Sequence, residues 1–242
     1  MVEESIQREA IEAAVHAVAE RIEAEKTYLT ELDSAIGDAD HGANLHRGMQ
    51  AVVEAIEDAE ETDPAALVKL VGRTLVSEVG GAAGPLYGGS IMSASTEFAE
   101  GIDTASTVAF AEAYLAKVED RGGATVGDKT MVDALTPAVH TYKKSIEQDE
   151  LPPLAALAKA VDAAERGVAF TTPIRASKGR ASYLGWRSVG HQDPGATSTL
   201  YCLEAILDVA TEYLDGEIDR DATSPTVPDE SAEADGSPEG EE

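Results

Sequence analysis

The residues with the most chemistry to offer lie in one short run, Asp33-Ser-Ala-Ile-Gly-Asp38-Ala-Asp40-His41-Gly42-Ala43-Asn44, where twelve positions hold three carboxylates, a histidine and an asparagine. Carboxylate oxygens are hard ligands that suit Mg²⁺, an ion usually held by one or two of them together with waters and substrate phosphates. The run therefore points to a Mg²⁺-nucleotide site. Asp also caps helices and Gly accepts positive φ, so the same letters would serve a plain turn.

Segments downstream weigh towards the site. Gly80-Gly-Ala82-Ala83-Gly84-Pro85-Leu-Tyr-Gly88-Gly89 carries five glycines. Such a stretch lets backbone N–H groups approach a phosphate with no Cβ in the way, and Pro85 would open a helix whose positive end favours anions. A second glycine loop runs from Gly122 to Lys129. The stretch 171–195 is basic within an acidic chain, with Arg175, Lys178, Arg180 and Arg187, and reads as a long functional loop. A nucleoside diphosphate needs metal, amide donors and a cation to meet the transferred group, and Arg180 is the candidate cation and catalytic residue. Gly-x-x-x-x-Gly-Lys-Ser/Thr does not occur, so this is not a P-loop.

The elements that must position these residues read as helices. Apolar residues recur at helical spacing from Glu3 to Leu32, including Ile6, Ala10, Ala13, Ala17, Ile22 and Leu29. Further helices are expected at about Asn44 to Ala59, Pro64 to Val79, Ser90 to Glu100, Asp103 to Arg121, Lys129 to Ile146, Pro152 to Ala169 and Ala196 to Leu214, with little or no strand. About eight helices joined by short turns imply antiparallel neighbours, an up-and-down bundle or helical barrel. Alternate loops of such a fold share an end, so the acidic, glycine and basic segments can converge. Residues 1–215 are expected to form that domain. From 216 to 242 the chain holds ten acids and one base, Arg220, and reads as a disordered acidic tail.

Forty-six acidic against eighteen basic residues give a net charge of −28. Such self-repulsion is screened at high salt, which together with only eight lysines points to a saline cytoplasm, the alternative being an acidic protein of ordinary salinity. The charge argues against nucleic acid and anionic membrane as partners, because both need a basic footprint. The single cysteine, Cys202, excludes an internal disulfide and reads as a core filler. The start of the sequence has no basic-apolar leader, and no window holds the roughly 18 apolar residues of a span, so a cytoplasmic protein is expected.

Four motifs in order, GDADHGANLHRG (37–48), GGAAGPLYG (80–88), GDKTMVDAL (127–135) and KGRASYLG…GHQDPGATS (178–198), closely resemble the ADP-binding L subunit of dihydroxyacetone kinase, over roughly residues 5–215. The resemblance implies an all-α barrel of eight antiparallel helices with ADP, or ATP, at one end and two Mg²⁺ ions held by Asp33, Asp38 and Asp40. It places nucleotide contacts on His41, Gly42, Ala43 and Asn44, on Ala82 and Ala83, on Gly122 and Met131, and on Arg180, Asp193, Pro194 and Gly195, with Met131 against the adenine. It also implies a dihydroxyacetone-binding K subunit, and a phosphoryl-donor M subunit of the phosphotransferase system where phosphoenolpyruvate is the donor. A homodimer stays open. An ATP-dependent glycerone kinase, a fatty acid kinase nucleotide domain and a non-catalytic ADP-sensing regulator are the competing readings. Two departures from the usual motifs stand out: Ala83 where serine is common, and Trp186 after Tyr-Leu-Gly, where Glu or Pro is usual.

Overall fold

The computed structural model describes residues 3–60 and 63–220, and within them every regular element is helical. Eight α-helices follow one another: α1 (Glu4–Ile36), α2 (His41–Glu57), α3 (Pro64–Glu78), α4 (Gly89–Ala94), α5 (Thr104–Gly122), α6 (Val132–Glu147), α7 (Pro153–Thr171) and α8 (Pro194–Tyr213). A π-helical turn, Gly84–Gly88, leads into α4, and a 3₁₀ turn, Ser95–Phe98, continues it. Each helix packs against the next, and α8 returns to α1, so the helices form a closed ring. The all-α expectation holds.

Helix ends follow local chemistry. Asp63 accepts from the Ala66 N–H and is followed by Pro64 at the first position of α3. Asp103 and Ser106 form a reciprocal capping box at the start of α5, and Gly123, with φ 58°, ends it. In α1 the buried residues Ile11, Val15, Val18, Ile22, Leu29 and Ile36 recur every three, four or seven positions, a stripe facing α2 and α8. α6, α7 and α8 share a second core of small residues, including Ala134, Ala158, Val161, Ala164 and Ala196, which lets these helices approach closely.

The helix expected from Ser90 to Glu100 is α-helical only to Ala94 and finishes as the 3₁₀ turn Ser95–Phe98; the other main departures from expectation lie at the functional end. α1 continues four residues past Leu32, because Ile36 packs with Ala176, Ala181 and Leu184 beneath the basic loop. α2 starts at His41, three residues before Asn44, so the second half of the acidic motif is a helix N-terminus. α6 starts at Val132 and not Lys129, whose φ of 63° cannot enter a helix. The basic loop contains a 3₁₀ segment, Arg180–Ser188, kinked at Gly185. Of the acidic tail, residues 216–220 are described. Arg220 pairs with Glu165 of α7 at 3.0 Å, and positions 221–242 lie outside the described residues.

Candidate functional site

Asp33 sits one turn from the end of α1, and the chain folds back so that Asp38 and Asp40 face it. One ligand-type oxygen from each of the three lies within 4.8 Å of the others, with Asp33 buried and the other two exposed. The fold-back depends on Gly37, because a Cβ there would come within 2.0 Å of Asp33 Oδ1. It also holds Ala39 at φ 62°, a left-handed conformation that is uncommon for a residue with a Cβ.

Asp33 Oδ2 accepts from the backbone N–H of Asp40 at 2.9 Å and of His41 at 3.2 Å. It thus caps α2 from the neighbouring helix. Asp40, although at the N-cap position, makes no side-chain cap bond of its own. Arg180 reaches over and pairs with Asp38 at 2.9 Å. Three acceptor-only carboxylates with oxygens in mutual reach, one already fixed by two amides, form a donor set that fits a hard divalent cation.

The first turn of α2 is placed by contacts on three sides. Gly42 crosses α1 where a Cβ would sit 2.3 Å from the Lys26 carbonyl, so its small size is needed for helix contact. Ala43 is exposed. Arg47 donates to Asn44 Oδ1 at 3.0 Å and to the Glu78 carbonyl at 3.1 Å, tying α2 to the end of α3 just before the glycine loop. The His41 ring turns inward: Nε2 lies 2.8 Å from Ser198 Oγ. Burial lowers its pKa, partly offset by the charges of Asp33 and Asp40.

Beside the carboxylates lies a largely apolar cavity of about 430 Å³. Ala82, Leu86, Val118, Gly122, Met131 and Val132 are among its walls, with Arg121, Lys178 and Gly179 at the polar side. The segment Lys178-Gly179-Arg180 joins the two halves, lining the cavity with its first two residues and touching Asp38 with the third. Ala83 packs against the main core.

At the start of α8, Asp193 accepts from the Ala196 N–H at 2.7 Å, Pro194 opens the helix, and Gly195 lies against Met131. Asp193 is buried, and desolvation pushes its pKa up to about 7 against the pull of its amide donors and Lys129. Of the expected site residues, the structure therefore groups the three aspartates with Arg180, and Ala82 with Gly122 and Met131. The side chains of His41 and Asp193 serve internal bonds.

Two buried groups were missed in the sequence. Lys129 is 1% exposed, and its ammonium donates to the carbonyls of Thr171 at 2.6 Å, Ile174 at 3.4 Å and His191. Burial lowers its pKa, and the neighbouring Asp193 and Asp133 oppose that. Asp133 accepts from Gly127 N–H at 2.6 Å and Thr130 N–H at 2.8 Å, shaping the glycine loop that carries Lys129. No periodicity marks either residue. Tyr87 and Ser198 stand inside the GGAAGPLYG and GHQDPGATS motifs, where the resemblance assigns them no role.

Known proteins resemble this arrangement. The chain is 40% identical over 191 residues to the PTS-dependent dihydroxyacetone kinase ADP-binding subunit DhaL of Lactococcus lactis, covering 78% of this chain and 91% of that one. It is 42% identical over 194 residues to the PEP-dependent dihydroxyacetone kinase ADP-binding subunit DhaL of Escherichia coli, covering 78% and 90%. The crystal structure of the C. freundii dihydroxyacetone kinase with AMP-PNP and Mg²⁺ superposes with a TM-score of 0.63 at 24% identity, a likeness of fold. It matches 84% of this chain, which spans about a third (34%) of that longer protein. The DAK2 domain family model matches residues 35–208, from the last turn of α1 through most of α8. With most of the 242-residue chain inside that match and the identity running along nine tenths of the subunits above, the chain belongs to the DAK2 domain family.

Proposed function

We propose that this chain is the ADP-binding subunit of a phosphoenolpyruvate-dependent dihydroxyacetone kinase, a phosphotransferase active only with partner subunits in the cytoplasm. The observation that carries the reading is the identity of about 40% along nearly the whole length of subunits bearing that name. The geometry is consistent with it: an apolar cavity of about 430 Å³, large enough for a base, opens beside three carboxylates and one arginine.

In this reading Met131, Gly122 and Ala82 hold the adenine side, and the first turn of α2 and the 80–84 loop supply N–H groups for phosphate oxygens. Asp33, Asp38 and Asp40 hold Mg²⁺, two ions in our proposal. Mg²⁺ held by these carboxylates would neutralise phosphate charge. The protein needs no nucleophile of its own, because phosphoryl transfer depends on positioning and charge neutralisation. Arg180 contributes the charge: phosphate competes with Asp38 for its guanidinium, so filling the site frees Asp38 as it recruits the arginine.

The acceptor, dihydroxyacetone, sits on a K subunit, and an M subunit of the phosphotransferase system restores the phosphoryl group. Tyr183 and Trp186, 85% and 76% exposed on the 3₁₀ segment that carries Arg180, are suited to dock one of these partners, since aromatic and arginine side chains dominate protein interfaces. Residues 1–215 form the working domain, and the acidic excess adapts the chain to a saline cytoplasm.

The test mixes the purified chain with K and M subunits, the phosphotransfer proteins that charge M from phosphoenolpyruvate, dihydroxyacetone, and either phosphoenolpyruvate or ATP. Dihydroxyacetone phosphate formed with phosphoenolpyruvate and substoichiometric ADP is the expected result. Product from ATP alone would refute the relay, and bound ADP without product from either donor would favour a regulatory role. Sedimentation of the separate chain decides between monomer and homodimer.

A further inference from the structure

Three site segments meet at one buried hydroxyl. Tyr87, in the π-helical turn after the glycine loop, places its OH 2.8 Å from Ser198 Oγ, 3.1 Å from the Gly195 carbonyl and 3.2 Å from Thr199 Oγ1. Ser198 Oγ in turn lies 2.8 Å from His41 Nε2, and the His41 backbone N–H is held by Asp33 Oδ2. The path runs from the carboxylate cluster through α2 and α8 to the glycine loop. Ser198 is fully buried and Tyr87 nearly so, and desolvation raises the tyrosine pKa, so its phenol keeps its proton.

The Ser198 hydroxyl also lies 3.0 Å from the Pro194 carbonyl and 3.1 Å from the Gly195 carbonyl, so the first turn of α8 holds the middle of the path, and the Tyr87 O–H has the Gly195 carbonyl and Ser198 Oγ within reach. Thr199 also donates to the Gly195 carbonyl, at 2.8 Å, but is not on the path to His41. A chain of buried hydrogen bonds in low dielectric fixes the groups at its ends more firmly than separate contacts would. π turns recur at functional sites, and this one sets Tyr87 at the junction.

We propose that Tyr87 and Ser198 are positioning residues for the nucleotide site: by holding the His41 ring they lock the start of α2, and with it the Asp33–Asp40 fold-back, in register with the glycine loop and the start of α8. The site is thereby arranged before ligand arrives. This inference rests on the ADP-binding reading above, and its experiment separates the two.

ADP binding with Mg²⁺ is measured by titration calorimetry on the whole chain for the wild type, Tyr87→Phe, Ser198→Ala, the double variant and Thr199→Val, with thermal unfolding recorded for each. Tyr87→Phe and Ser198→Ala are each expected to weaken ADP about 10-fold, the lower end for groups that orient site residues. The double variant is expected to lose about the same 10-fold, because both changes break one chain. Thr199→Val should stay within about twofold, although it removes a hydroxyl from the same buried network. Unchanged affinity in the two singles, an additive loss of about 100-fold in the double, or an equal loss in Thr199→Val would each overturn the proposal while leaving ADP binding intact. A wild-type chain that does not bind ADP would remove both readings together.

Discussion

Two helices present their N-termini to the site, and they are capped in opposite ways. α8 caps itself: Asp193, three residues before Ala196, accepts that residue's N–H and is followed by Pro194. α2 has an aspartate, Asp40, at the same position, yet the N–H groups of Asp40 and His41 are taken by Asp33 from α1. At α8 the local cap occupies its carboxylate, which is also buried. The borrowed cap leaves Asp40 exposed, with its oxygens beside those of Asp38 and available to a cation. A helix start can therefore be stable and still offer a free acid, provided another helix supplies the acceptor.

This contrast can be broken most severely at Asp33, which both caps and is assigned as a ligand. Asp33→Ala should abolish retention of ADP through purification, a loss above about 100-fold in affinity. It should also cost about 1 kcal/mol of stability, the usual worth of a cap, read by urea denaturation. Gly37→Ala should come close to it without touching a ligand: its Cβ would occupy the place of Asp33 Oδ1, so the carboxylate must move. Calorimetric ADP affinity should fall by about 10-fold or more.

Asp40→Ala sharpens the comparison. If Asp33 does the capping, this variant loses Mg²⁺-dependent ADP affinity while its urea midpoint stays within the equivalent of about 0.5 kcal/mol of the wild type. An unfolding shift as large as that of Asp33→Ala would mean that Asp40 caps α2 after all.

Asp193→Asn tests the self-capped helix through pH. The wild-type carboxyl has its pKa raised to about 7 in the folded chain, against about 3.9 when unfolded. Between these values the folded state holds the extra proton, so its contribution is full below about pH 4 and is lost as pH rises to about 7. Asparagine keeps an acceptor for the Ala196 N–H but does not titrate. The stability of the variant relative to wild type should therefore rise across that window and level off above it, as followed by denaturation at a series of pH values.

The smallest effect is expected at Ala39. Its left-handed backbone costs roughly 1–2 kcal/mol, part of which glycine returns to the unfolded chain as entropy. Ala39→Gly should raise stability by under about 1 kcal/mol, with ADP affinity little changed.

What the sequence revealed follows the same division between local and borrowed contacts. The α8 cap was legible because Asp193, Pro194 and Ala196 are neighbours in the chain. So was the carboxylate cluster, whose members span only residues 33 to 40, and so were most helices, from apolar spacing and from caps such as Asp63-Pro64. The early start of α2 was not, because it depends on an acceptor in another helix. Ile36 extended α1 for a similar reason: its partners, Ala176, Ala181 and Leu184, lie about 140 residues away. Lys129 was read at the start of a helix, where a charge is ordinary. Only the three-dimensional gathering of three carbonyls turns it into a buried pin.

That pin has a consequence for how the basic loop can open. The carbonyls bound by the Lys129 ammonium belong to Thr171, Ile174 and His191, so they lie at the two ends of the loop. Letting go of either end strips hydrogen bonds from a cation sealed away from water, which is costly until the cation itself escapes. The two ends of the segment between 172 and 192 are thus tied to one buried cation, so that loosening one end weakens what holds the other. Lys129→Met, which removes those bonds, should loosen both ends of the segment together, read as faster amide exchange near Thr171 and His191 in the same variant.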